Sequence, residues 1–336
     1  MDLARAVHPA RLRAAVAREA YGCYFLSDVG GVVSPAAQRA VAAAMCALTH
    51  DGRGYDPSGR PCGGTLFAYI TGDVVYYHGE PAHYADQFYA PYRDYDRPIF
   101  AIPGNHDGDP PGDGACVSLA GFIANFCAPQ RAPIDDEGRH NRPALDQPNV
   151  YWTLEAPWLR IVGLYTNVPD GGMVDAEQRR WFLQQMARPR HGKHLIVALH
   201  HPPFSIDQMH GGSPQMLNLV HEPAKRAGCR LVVSGHAHTY QRFAFDDVTY
   251  VVNGAGGYFE LHDLVSPPDP GTLTPVVAHT GEHSFMQVAV TPRELRVRTV
   301  AVPLPFEPTV GHPILVDEFR CPLATLSSVA ATGRTQ

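Results

Sequence analysis

The sequence predicts an α/β fold: a four-layer α/β/β/α sandwich of two mixed β-sheets packed face to face and flanked by helices. Three observations carry this. Apolar runs of strand length recur along the 336 residues, several are separated by helical patterns, and the runs after Tyr240 follow one another through turns. Strand and helix in alternation give a parallel, helix-covered sheet, whereas strands joined by turns must pair antiparallel, so the sheets are mixed.

Residues 1–20 read as an N-terminal helix rich in Ala and Arg. Its acidic residues and its lack of a continuous apolar core do not suit a secretory signal or a membrane span. The strand runs lie at 23–26, 66–70, 99–102, 150–154, 159–164, 195–199, 231–233, 249–252, 285–290 and 295–300. Pro35 at a first turn opens a helix through Ala47, Asp175 is the N-cap expected for 176–187, and Pro214 opens a helix towards Lys225. Two irregular stretches, 107–149 with a short helix near 116–126, and 260–283, have the length of functional loops. The Pro-rich segment after Val302 is expected to lie over the surface as a strap. The chain thus divides into the N-terminal helix, one large domain over 21–300 and a tail over 301–336.

Composition narrows the function. Hydrophobic residues at 45% and charged residues at 18% are ordinary for a globular protein. A net charge of −6 lacks the Lys and Arg excess that holds a nucleic-acid polymer. Seven scattered cysteines without a Cys-x-x-Cys pair suit neither a zinc ribbon nor a disulfide framework, and point to a reducing, cytoplasmic compartment.

Five segments carry the chemistry: Ser27-Asp28-Val29-Gly30, Gly72-Asp73-Val74-Val75-Tyr76, Gly104-Asn105-His106-Asp107, His200-His201-Pro202-Pro203 and Gly235-His236-Ala237-His238. Each directly follows an apolar strand run. Open α/β sheets gather their chemistry at the carboxyl ends of strands, so these side chains converge on one rim. Carboxylate oxygen, amide oxygen and neutral imidazole suit hard and borderline metal ions, and a carboxylate can bridge two of them. Two ions about 3.5 to 4 Å apart turn a water into a nucleophile and clamp an in-line displacement at phosphorus. The expected reaction is hydrolysis of a phosphate ester.

With these motifs in order, residues 23–300 resemble the calcineurin-like metallophosphoesterase family. The common pattern of that family opens with Asp-x-His, and position 30 here is Gly. The purple acid phosphatase branch has the same Gly and supplies a Tyr three residues after the bridging Asp, where this chain has Tyr76. The resemblance implies that Asp28, Asp73, Tyr76 and His238 hold one metal, typically Fe(III). Asp73, Asn105, His200 and His236 would hold a divalent ion such as Fe, Mn or Zn. A phenolate is a hard donor suited to Fe(III), so Tyr76 predicts a mixed-valent centre.

The same resemblance gives His106 a substrate-facing role, stabilising a phosphoryl oxygen or protonating the leaving alkoxide, with Asp107 orienting it. His210 lies about ten residues beyond His200, a spacing at which that branch has a substrate-contacting His; His201 is its neighbour in the same segment. By contrast His78, His83, His191, His194, His221 and His283 have no such spacing and read as surface or satisfied core groups. Tyr84, Phe88, Tyr89, Tyr92 and Tyr95 read as a core stripe, and 253–257 as a tight turn near the rim. Tyr165 and Thr166 stand where relatives often carry an acidic residue.

Three functions follow: a phosphomonoesterase acting on a small ester, favoured by the Tyr76 pattern; a phosphodiesterase for nucleotide-like or lipid-headgroup diesters; and a non-catalytic metal-binding scaffold. The last should have lost ligands, and all seven expected positions are filled. Oligomeric state has no signature in the sequence.

Overall fold

The computed structural model describes residues 1–50, 64–110, 112, 117–128, 145–266, 271–305 and 313–324. Parts of both long irregular stretches, Cys62, Cys116 and the tail from 325 lie outside the described residues.

Thirteen strands form two sheets among the described residues. The first sheet contains β1 (Tyr21–Leu26), β2 (Thr65–Ile70), β3 (Ile99–Ala101), β11 (His283–Val290), β12 (Glu294–Val302) and β13 (Ile314–Pro322). Their order is β13-β12-β11-β1-β2-β3, with β1, β2 and β3 parallel and the others antiparallel. The second sheet contains β4 (Trp152–Ala156), β5 (Leu159–Gly163), β6 (His194–Ala198), β7 (Leu231–Ser234), β8 (Tyr240–Phe245), β9 (Val248–Asn253) and β10 (Val277–His279). Here the order is β10-β8-β9-β7-β6-β5-β4, with β5, β6, β7 and β9 parallel.

Side-chain alternation explains the layering. Along β1, Tyr21, Cys23 and Phe25 point into the space between the sheets, where they meet Ile161, Ile196, Val233 and Val288. Tyr24 and Leu26 point the other way, onto helix α2 (Ala36–His50) through Val41, Ala44 and Met45. On the opposite face of the molecule, Val162, Leu195, Val197 and Val232 pack under α5 (Ala176–Ala187) and α6 (Pro214–Arg226). The result is the α/β/β/α sandwich the period-two pattern requires. The N-caps are chemical: Asp175 accepts from Gln178 N, and Ser213 accepts from Met216 N.

The N-terminal segment is a 3-10 turn, Leu3–Arg5, followed by α1 (Pro9–Arg18), with Pro9 breaking the single helix expected there. Two short helices, α3 (Asn105–Gly108) and α4 (Ala120–Phe126), lie near the rim. The strap expected after Val302 contains a nine-residue edge strand, β13, which pairs with β12 along its length. The aromatic stripe around Tyr84, Phe88 and Tyr92 is core, packed with Phe122 and Phe126.

Candidate metal centre

The loops after β1, β2, β3, β6 and β7 meet at one rim. Asp28 N donates to Gly72 O at 3.0 Å, Gly235 N to His200 O at 3.0 Å, and His236 N to the Asp28 carboxylate at 2.9 Å. The 253–257 turn packs on the same loop, with Gly256 N bonded to Ser27 O. Asp28, Asp73 and His236 adopt left-handed backbone, with φ of 57°, 53° and 70°. Non-glycine residues are rare in that region, and strain of this kind concentrates at functional sites.

Two groups of donors result. In the first, the Tyr76 hydroxyl lies 3.3 Å from Asp28 Oδ1 and 3.4 Å from His238 Nε2, and His238 Nε2 lies 3.5 Å from Asp28 Oδ1. In the second, His200 Nε2 lies 3.3 Å from Asp73 Oδ2 and 3.1 Å from Asn105 Oδ1, and donor atoms of Asp73, His200 and His236 all fall within 4.8 Å of one another. Each group draws on both sheets: the carboxylates, Tyr76 and Asn105 follow strands of the first, the imidazoles strands of the second.

The imidazoles are aimed by carbonyls. His200 Nδ1 faces Thr71 O at 3.0 Å and His238 Nδ1 faces Glu260 O at 3.0 Å. A carbonyl only accepts, so each Nδ1 carries the proton and each Nε2 is left to face the donor group. Tyr76 is held by Gln87, whose side-chain amide accepts from Tyr76 N at 2.9 Å and donates to Tyr76 O at 2.7 Å. Its ring lies between His106 and Tyr258, with centroids 4.4 and 4.3 Å away. A Cβ on Gly30 would stand 2.6 Å from the Tyr76 ring, so the ring occupies the space that a side chain at position 30 would need. The absent His and the present Tyr are one steric fact.

The electrostatics fit cations. Asp28 and Asp73 are buried, and among the described residues neither pairs with Lys or Arg. Buried carboxylates without a fixed cation are costly unless a metal or proton supplies the charge. Burial pushes the Asp73 carboxyl up, but His200, His106 and His236 outweigh it and hold it well below the usual range. Burial would lower His200, yet Asp73 and Asp28 carry it up to about 9. Burial, then Asp73 and Asp28, raise the Tyr76 phenol far above its ordinary value. The carboxylates that keep a proton on His200 and His238 are ones that a multivalent cation would engage in its place. The residues present therefore fit a pair of metal ions.

Asp107 does not orient His106 as expected. Its carboxylate accepts from Val74 N, Val75 N and Gly104 N at 2.9 to 3.1 Å, clamping the two loops that carry Asp73 and Asn105. Burial and the Asp73 charge push its carboxyl up to about 7. The imidazole of His106 is oriented instead by Tyr77 O, 2.8 Å from its Nδ1. His210 and His236 have ring centroids 4.1 Å apart, and His201 and His236 4.4 Å. Burial, then neighbouring imidazoles, lower all three, His201 to about 3. A cleft of about 480 Å³ is lined by Asn105, His201, His210 and His236. Thr166, placed where relatives often have an acid, bonds through Oγ1 to His201 Nδ1 at 2.9 Å.

Sequence reasoning missed Gln87, Asp207, Tyr258 and His262. Asp207 accepts from His210 N and from His262 Nδ1 at 3.0 Å, and the His262 ring stacks on His238 at 4.2 Å. Their one available signal was position: Tyr258 and His262 flank the start of the long irregular stretch after Glu260.

A two-sheet sandwich whose carboxylates follow strands of one sheet and whose imidazoles follow strands of the other, meeting at one rim, suits a metal-dependent hydrolase. The family model of the calcineurin-like phosphoesterases matches residues 27–240, and the chain belongs to that family. Among solved structures it is similar to a purple acid phosphatase, PPD1, from yellow lupin (Lupinus luteus), at 16% identity and a TM-score of 0.64. The match covers 92% of this chain and 57% of the lupin chain, so this protein spans little more than half that length. It is also similar to GAP50, the anchor in the inner membrane complex of Plasmodium, at 13% identity and a TM-score of 0.60 over 89% of each chain. A dimetal phosphatase from Danio rerio follows at 11% and 0.53, covering 90% of this chain and 99% of that one. At these identities the likeness is one of fold. A search of curated proteins gives no significant match. Among the described residues, no helix is long and apolar enough to cross a membrane.

Proposed function

We propose that this protein is a binuclear metal-dependent hydrolase of phosphate esters, with small phosphomonoesters favoured. The observation that carries the reading is the pair of donor groups: Asp28, Tyr76 and His238 within 3.3 to 3.5 Å of one another, beside Asp73, Asn105, His200 and His236. Asp73, which the family pattern makes the bridging carboxylate, accepts from His106 N through Oδ1 and faces His200 through Oδ2.

In this reading Asp28, Asp73, Tyr76 and His238 hold Fe(III), while Asp73, Asn105, His200 and His236 hold a divalent Fe, Mn or Zn. The bound pair would supply Lewis acidity at the phosphoryl group and a water-derived nucleophile near neutral pH. The chain's own groups do the rest. His106, with Nδ1–H committed to Tyr77 O, turns Nε2 outward, where it assists departure of the alkoxide. His210 and the buried His201 stand beside His236 to bind phosphoryl oxygens.

The likeness to GAP50 supports a second reading, a scaffold with this fold and no turnover. Hydrolysis of matched aryl phosphate monoester and diester by metal-replete protein, with Asn105→Ala as control, separates them. Monoester turnover lost in the control is the expected result. Diester preference would move the assignment to phosphodiesterase, and stoichiometric metal without turnover of either ester to the scaffold.

A further inference from the structure

Resting on the phosphoesterase reading above, we propose that the preferred substrates are phosphomonoesters of amino alcohols, whose ammonium is received by Asp109 and Asp170. Both carboxylates line the cleft that opens beside Asn105 and His236, and both are exposed at its outer end. Asp109 Oδ1 accepts from Asn167 Nδ2 at 2.7 Å, and Asp170 Oδ1 from Gly171 N at 2.8 Å. Each carboxylate thus has one oxygen anchored and the other left for a ligand. Among the described residues neither pairs with Lys or Arg, and no Lys or Arg lines the cleft.

An independent feature shows that the same cleft is built to receive a ligand. His201 is 6% exposed, its Nδ1 meets Thr166 Oγ1, and no described residue bonds to its Nε2. That nitrogen points at Gly171, where a Cβ would stand 3.0 Å away, so the glycine keeps the imidazole open to the cleft. Open to the cleft and with no described side chain bonded to it, that nitrogen can bond to a phosphoryl oxygen beside the metal centre.

The cleft therefore offers a phosphate-binding inner end and an anionic mouth. A second phosphate or a substrate carboxylate would meet two carboxylates with no cation to offset them. The start of α6 does not reverse this: Pro214 has no N–H, and Ser213 already satisfies Met216 N. An ammonium two or three bonds beyond the ester oxygen would reverse the balance, gaining up to two partly exposed ion pairs. In the reaction water adds to phosphorus, the P–O bond to the amino alcohol breaks, and the alcohol leaves with a proton, giving inorganic phosphate.

The test compares kcat/KM of the metal-replete full chain for phosphoethanolamine and n-propyl phosphate, which differ by an ammonium in place of a methyl, with an aryl phosphate as reference. The expected preference for phosphoethanolamine is about tenfold, shrinking with added salt and falling towards one in the Asp109→Asn/Asp170→Asn double variant. Equal or faster hydrolysis of n-propyl phosphate, with the aryl ester turned over, overturns the charge assignment and leaves the phosphoesterase standing. A preference that survives in the double variant also overturns the assignment to these two residues. Failure to hydrolyse any of the three esters overturns both readings.

Discussion

Tyr76 and Gly30 occupy one volume, and that makes the pair testable residue by residue. Tyr76→Phe removes the oxygen that lies between Asp28 and His238 while keeping the ring packed against Tyr258 and His106. The expected outcome is a folded protein that no longer takes up the proposed Fe(III) or shows the colour that a phenolate-bound Fe(III) would give, measured by metal analysis and visible absorption; iron and colour equal to those of the unaltered protein would refute the phenolate assignment. Gly30→Ala leaves every donor in place but drives a methyl towards the ring and the Gln87 amide, each 2.6 Å away. Overpacking of this kind costs about 2 kcal/mol, readable as a lower urea midpoint at unchanged slope. Replacing the phenol by an imidazole at position 30 must therefore proceed by removing the Tyr76 ring before adding the His. The reverse order passes through a collision.

Among the elements, β13 joins the two sheets through one polar cluster. Asp317 on β13 accepts from the Tyr240 hydroxyl at 2.6 Å and from Arg242 at 2.6 and 3.1 Å, both on β8 of the facing sheet. Asp317→Ala would leave a buried phenol and a mostly buried guanidinium unmatched, and the expected loss is about 3 kcal/mol in urea denaturation, with metal content retained in native buffer. This cluster also explains why the strand was illegible. Its inward position is an Asp where a strand pattern calls for an apolar residue, and prolines precede it. The strands before the five motifs were legible for the opposite reason: each is a short, mostly apolar run, buried on both faces, ending two to four residues before the first residue that bears the chemistry. Gln87 was hidden because its role depends on a π-helical turn, Ala85–Tyr89, that no periodicity announces. Asp207 and His262 meet across 55 residues of sequence, through loops whose path only tertiary packing sets.

For the whole molecule, the proposed ions act as a cross-link between sheets as well as reagents. Anything that binds the native state alone stabilises it by mass action. Metal at a hundredfold excess over its dissociation constant should raise the melting temperature of chelator-treated protein by on the order of 4 °C, whereas His200→Ala, lacking a donor from the second sheet, should show a smaller shift in calorimetry. Since each donor group draws on both sheets, neither exists on a chain that has formed only one of them. During synthesis the first sheet's Asp28, Asp73, Tyr76 and Asn105 emerge long before His236 and His238, and the ion must wait for the last of these to dock. The choice of metal is then made by the finished fold, from whatever ions surround it where folding ends, and not by the ribosome-bound chain.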